Sequence, residues 1–313
     1  MKKHIEVRKF IITASILLVS VAGLLAKEGG PDVEKKKTYT KSYAVSSNDK
    51  VSISNQFGEV KIITWNKNEA QVDVTITAKS SSDERAQEIL DRINIEDGKS
   101  GDGVWFKTNM KNQNWKGNNK RGEHNQSMQI NYEVHMPAGN PLDLDNQFGK
   151  TIVPDMTGPV EITQKFGDLV AGNLGKVKEL HVEFGSAVVE SINDCKVVIK
   201  FSKAEIKKMS GAIKATFEYC DKMKLSLNNT VTDLNINNQF SSIQVTIADG
   251  FNGDFDIHTS FSEFHNGTSL PIKEAKDDDG DHGPRFDKDY SGKSGSGACK
   301  VKIKASFGNV KFS

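Results

Sequence analysis

The chain has 313 residues, with 42 Lys and Arg against 41 Asp and Glu and a formal net charge of +1. That length can bury a sizeable core in one large domain or two ordinary ones, and the balanced charge provides no field that would gather nucleic acid or an anionic membrane. Only five of the cations are Arg (Arg8, Arg85, Arg92, Arg121 and Arg285), so the planar clamp that grips phosphate or uronate carboxylates is scarce.

At the amino terminus, Lys2, Lys3, Arg8 and Lys9 precede a mainly apolar run over residues 10–25. This is the pattern of a secretory signal peptide, assigned to residues 1–26, with cleavage expected between Ala22 and Ala26. The run is slightly short for a comfortable span of about 20 residues. Membrane contact is therefore expected only through this segment where it stays uncleaved, and the body is expected outside the cytoplasm: periplasmic, on the cell surface or secreted.

Residues 27–140 form the expected N-terminal β region. A polar lead-in, "KEGGPDVEKKK", gives way to alternating β-formers at 37–45, 50–54, 59–65 and 71–77. The period then changes in "SSSDERAQEILDRI", where Ala86, Ile89, Leu90 and Ile93 share a helical face and Ser81 with Glu84 reads as a capping box. A short helix over 82–93 is the only one expected. Strands are expected again at 104–109 and 129–136, between polar loops.

From 141 to 313 the chain repeats. Phe148, Phe166, Phe184, Phe201, Phe217, Phe240 and Phe261 recur every 16 to 23 residues, with Phe57 and Phe307 as outlying copies. Four residues before each stands an aliphatic side chain: Ile53, Leu144, Ile162, Leu180, Val197, Ile213, Ile236, Ile257 or Ile303. Apolar residues recur three and eight places after it. The register predicts short strands bent at fixed corners and stacked at ~4.8 Å, that is, a parallel β-helix. It sets the Phe inside and the following Gly (Gly58, Gly149, Gly167, Gly185, Gly308) at a corner that favours positive φ. Asn55, Asn146, Gln164 and Asn238, two places earlier, are expected inside as a structural ladder of amides.

Candidate chemistry is sparse. Asp143, Glu161 and Glu179 fall in one outward column and could hold a hard cation, though a solvated acidic stripe beside Lys196 is the plainer expectation. His181 and His258 share a column several coils apart. A polar loop over 273–298 carries Asp277, Asp279 and Asp281, but Gly280 is out of step with a calcium loop and no Glu closes it. Cys195, Cys220 and Cys299 show no zinc or redox spacing and are expected as buried thiols, a single disulfide being the alternative. No nucleophile, zinc-protease or phosphate-loop motif is present. A β-helix enzyme acting on acidic polysaccharide would want cationic clamps, and no Arg lies between Leu142 and Leu270. No catalytic residue and no cofactor are assigned.

The signal segment, "ISNQFGEVKI", the helix "DERAQEILDRI", the repeat phrases "LDNQFGKT", "ITQKFGDL" and "HVEFGSAV", and the ending "YSGKSGSGACKVKIKASFGNVKF" together resemble the bacterial putative adhesin family of exported β-helical proteins of unknown function, related to the head (GIN) domain of auto-transporter adhesins. The resemblance implies a right-handed parallel β-helix with an envelope or adhesive role, and it supplies no catalytic residues. The expected function is a non-catalytic, adhesin-like envelope protein presenting a β-helix binding surface to an unknown protein or glycan. The alternatives are a β-helix polysaccharide lyase or hydrolase, or a structural or signalling envelope component with a protein partner.

Overall fold

The computed structural model describes residues 33–111, 126–275 and 286–313. The signal segment and Asp277, Asp279 and Asp281 of the polar loop lie outside these residues. Alternation of apolar and polar side chains makes most of the described chain strand. The N-terminal region comprises β1 (Val33–Ala44), β2 (Lys50–Gln56), β3 (Val60–Thr64), β4 (Glu69–Ser80), α1 (Asp83–Arg92), β5 (Ile93–Ser100), β6 (Gly103–Met110) and β7 (Ser127–Met136). The repeats follow as β8 (Leu142–Gln147), β9 (Thr151–Val153), β10 (Met156–Lys165), β11 (Asp168–Glu183), β12 (Ser186–Lys200), β13 (Lys203–Glu218), β14 (Met223–Gln239) and β15 (Ile243–Ile247). Last come β16 (Gly253–Ser260), β17 (Phe264–Asn266), β18 (Ile272–Glu274), β19 (Asp287–Lys293), β20 (Cys299–Ser306) and β21 (Val310–Phe312).

α1 is the single helix among the described residues, and its cap is Ser82 rather than Ser81. The Ser82 hydroxyl accepts from the Arg85 N–H at 3.3 Å, and Ala86 and Leu90 face the core.

The fold is all-β, and its strands join one large, mostly parallel sheet. Each pass of the repeat pairs with the next in two places. Before the aromatic residue, Asp143 lies opposite Glu161, Glu161 opposite Glu179, and Glu179 opposite Lys196. After it, Thr151 lies opposite Leu169 and Leu169 opposite Ala187. Within β11 the buried residues are Leu169, Ala171, Leu174, Val177, Leu180 and Val182. A flat strand turns the same face inward every second residue. The steps of three on either side of Leu174 and Val177 therefore require bends that keep one side of the chain on the core.

Chain order and spatial order part company at the C-terminal end. β20 pairs with both β14 and β16, and β21 with β15, β17. The last segment of the chain thus slots between the passes of Phe240 and Phe261, so Phe307 is an interior member of the stack. Both ends finish in antiparallel pairs, β1–β4–β7 and β5–β6 at one and β16–β19–β18 at the other. Such caps occupy the hydrogen-bonding edges that a parallel stack would otherwise leave open to another chain.

Candidate functional site

The repeated aromatic residues are outside the core, which corrects the inward placement expected from their alternation with Ile53 and its equivalents. Phe148, Phe166, Phe184, Phe201, Phe240, Phe261 and Phe307 are 44–53% exposed. The reason is backbone conformation. Each, together with Phe57, sits in the left-handed region at φ between +48° and +66°, which swings the side chain out of the face that alternation assigns it. The corner is therefore the aromatic residue itself, and its N–H is satisfied by the neighbouring pass, as when Phe166 donates to the Glu183 carbonyl at 2.9 Å and Phe201 to the Glu218 carbonyl at 2.9 Å.

The glycines that follow have ordinary φ and serve another purpose. A Cβ on Gly149 would stand 1.8 Å from the Gly58 carbonyl oxygen, and one on Gly167 would stand 1.9 Å from that of Gly149. Consecutive passes approach too closely there for any side chain pointing along the stack. Where Ser replaces Gly, its hydroxyl becomes an acceptor. Ser202 accepts from the Gly185 N–H at 3.1 Å, and Ser241 from the Cys220 N–H at 2.8 Å.

Phe217 is not part of this set. It is fully buried and lies opposite Asn238, in the inward column two places before the corner. Tyr219 takes the corner at φ +55° and is 52% exposed. The same two-residue correction moves Ala215, not Ile213, into line with Val197 and Ile236, and Lys214, not Ala212, into line with Lys196 and Asn235.

In space the rings stack as Phe57, Phe148, Phe166, Phe184, Phe201, Tyr219, Phe240, Phe307, Phe261 and Phe286. Their centroids are 4.6–5.0 Å apart, and neighbouring planes are within 7° of parallel except at Phe286, where the angle is 18°. The column runs roughly 40 Å at the strand-stacking pitch. Phe286, from the polar loop, lies outside the repeat register and joins the column by stacking on Phe261.

The inward polar residues are buried and bonded. Asn55 Nδ2 donates to Asn146 Oδ1 at 3.2 Å and to the Ile130 carbonyl at 3.0 Å. Asn146 Nδ2 reaches the Gly58 carbonyl and Thr151 Oγ1, at 3.2 and 3.1 Å, and Thr151 donates onward to Gln164 at 2.5 Å. Beyond Gln164 the column turns apolar, through Val182, Ile199 and Phe217. Asn238 is an isolated amide that donates to the Ser241 carbonyl at 2.7 Å, while its Oδ1 has no partner among the described residues.

Asp143, Glu161 and Glu179 do stand in one outward column, bracketed by Lys50 on Asp143 at 3.3 Å and Lys196 on Glu179 at 3.0 Å. Among the described residues no three His, Cys, Asp or Glu converge as a metal site. His181 bonds Glu183 at 2.9 Å and His258 bonds Asp289 at 2.7 Å, on separate passes. Cys195, Cys220 and Cys299 are free, buried thiols. Burial pushes Cys195 up to about 12 and Cys299 to about 11, keeping both as unreactive thiols. Tyr39 and Tyr43 both donate to Asp97, a tie between β1 and β5. No helix among the described residues is long and apolar enough to cross a membrane.

No protein-family model matches the chain, and no curated protein aligns with it. Among solved structures, it is similar to a putative adhesin from Bacteroides fragilis, at 12% identity over 88% of this chain and 97% of that one, with a TM-score of 0.43. A putative cell adhesion protein from Clostridium sporogenes follows at 10% identity over 89% and 99%, TM-score 0.24. A putative lipid binding protein from Parabacteroides distasonis matches at 11% identity over 88% and 96%, TM-score 0.27.

Proposed function

We infer that the protein is an exported, non-catalytic, adhesin-like component of the cell envelope, built as a right-handed parallel β-helix that presents one outer face for binding. The external aromatic column carries this reading. A bulky residue in the left-handed region costs roughly 1–2 kcal/mol, and Gly or Asn would take the same corner at less cost. The cost recurs at Phe57, Phe148, Phe166, Phe184, Phe201, Tyr219, Phe240, Phe261 and Phe307. Ring stacking returns about 0.5–1.5 kcal/mol per pair, which offsets the strain without needing the rings to face solvent. What remains is a ribbed apolar strip on a rigid support, larger than the patches that ordinary monomers leave exposed.

The β-helix reading is supported by the parallel register of β8 to β14 and by the bends that the buried residues of β11 demand. The test uses purified protein on envelope fractions and on a polysaccharide panel. Saturable binding that falls when Phe184 and Phe201 are both changed to Asn is expected. New reducing ends or unsaturated sugar products would overturn the non-catalytic reading.

A further inference from the structure

The aromatic column borders a sheet face whose charges follow a pattern. Immediately before successive rings stand Gln147, Lys165, Glu183, Lys200, Glu218 and Gln239, in register from pass to pass. Reversed about the midpoint between Glu183 and Lys200, this column meets itself with Glu183 opposite Lys200, Lys165 opposite Glu218, and Gln147 opposite Gln239. Five places before the rings, the in-register column reads Asp143, Glu161, Glu179, Lys196, Lys214 and Asn235. Reversal about the same level sets Glu179 against Lys196, Glu161 against Lys214, and Asp143 against Asn235. The column between them, which includes Asp145, His181 and Asn237, brings no like charges together. The rings exchange about that level too, Phe184 with Phe201 and Phe166 with Tyr219.

We propose that this face is a self-complementary interface, on which two copies of the chain pack face to face with their stacking directions antiparallel. The two-fold axis runs along the strands at the level between Phe184 and Phe201. A two-fold of this kind sends each column onto its own reverse, and two independent columns here are each complementary to their reverse about one shared level. The proposal rests on the reading of the ribbed face as the binding face and names what it binds.

Shape and size agree with it. From Phe57 to Phe307 neighbouring rings differ by 2–7°, so the strip is nearly straight and can follow a straight partner over its length. With the seven rings from Phe148 to Phe307 that this two-fold overlaps 44–52% exposed, they offer on the order of 650 Å² per copy, within the range that each partner contributes to a standard stable interface. Ring orientation selects the occupant. Interior rings are covered on both faces by neighbours 4.8–5.0 Å away, so solvent meets their edges. A sugar ring stacks on an aromatic face, whereas a second ribbed column can seat its edges between these.

The purified protein is examined by sedimentation equilibrium, alone and as three variants. The wild type is expected as a dimer in equilibrium with monomer. Glu183→Lys sets Lys against Lys200 twice per dimer and weakens the dimer by about tenfold or more. Adding Lys200→Glu restores complementarity and returns the constant to within about threefold. Phe184→Asn with Phe201→Asn, which suits the left-handed corner, abolishes the dimer while the circular-dichroism spectrum is kept. A monomer at every concentration overturns the proposal, and so does a dimer indifferent to the charge variants. If the protein is monomeric yet the double Asn variant loses binding to envelope or glycan, the binding face stands and its partner is not a second copy. If that variant changes neither mass nor binding, both readings fall.

Discussion

Phe184 and Phe201 hold their rings 4.9 Å apart and within 3° of parallel, each from a left-handed backbone at φ +54° and +48°. The ring favours stacking and the backbone opposes it, so the corner's preference separates by residue type. Replacing Phe184 with Asn removes the ring but suits the corner, whereas Val removes the ring and adds a β-branch to a conformation it resists. Phe184→Val is expected to cost about 1–2 kcal/mol more than Phe184→Asn in denaturant midpoints. Equal losses would mean that the left-handed corner is not what the residue contends with.

The glycines make the opposite demand, for space rather than for torsion. A Cβ on Gly167 would meet the Gly149 carbonyl oxygen at 1.9 Å and the Gln164 amide nitrogen at 2.8 Å, while one on Gly101 would meet nothing within 4 Å. Gly167→Ala should therefore destabilise by about 3 kcal/mol or more, because the passes must separate. Gly101→Ala should stay within about 0.5 kcal/mol. A melting curve for each decides it, and a harmless Gly167→Ala would remove the close approach from the account.

Buried amides differ according to how many partners they serve. Asn146 bonds Asn55, the Gly58 carbonyl and Thr151, so Asn146→Leu leaves several buried groups without a partner. A loss of about 2–4 kcal/mol is expected. Among the described residues, Asn238 serves only the Ser241 carbonyl and its own oxygen has no partner. Asn238→Leu should cost less than about 1 kcal/mol. Chemical denaturation of the two variants side by side measures the contrast, and equal costs would count against a connected network.

How much of this the residues announced depends on the physics of each position. The stack itself was legible, because Ile162, Leu180 and Val197 must each face the core and do so at one register. The direction of the aromatic side chains was not, since alternation assumes extended backbone and a single left-handed residue reverses it. Tyr219 was hidden by Phe217, a second aromatic two places away that fits the inward column and drew the register onto itself. The place of Phe307 depends on β20 inserting between β14 and β16, a long-range pairing that no local pattern encodes. The site followed the same divide. Columns of outward charge could be read off directly, but whether their neighbours were rings or solvent could not.

Two carboxylates two passes apart should respond to pH with opposite sign. Burial raises Asp145 above its ordinary 3.8, and one of its oxygens has no partner among the described residues. The folded state thus holds this proton more tightly than the unfolded chain. The stability that Asp145 contributes is present below about pH 3.8 and is lost as pH rises through its higher folded value. For Glu183, burial also pushes upward, but hydrogen bonds from His181 and Lys165 outweigh it and hold the group below its ordinary 4.5. Its contribution is present above that value and is lost as pH falls through the lowered one. Asp145→Asn is therefore expected to raise the melting temperature at neutral pH and to match the wild type in acid. Glu183→Gln should lower it at neutral pH and likewise converge in acid. Melting curves from pH 3 to pH 8 in dilute solution test both, and shifts of the same sign would show that burial governs Glu183 as it does Asp145, with the bonds from His181 and Lys165 too weak to reverse it.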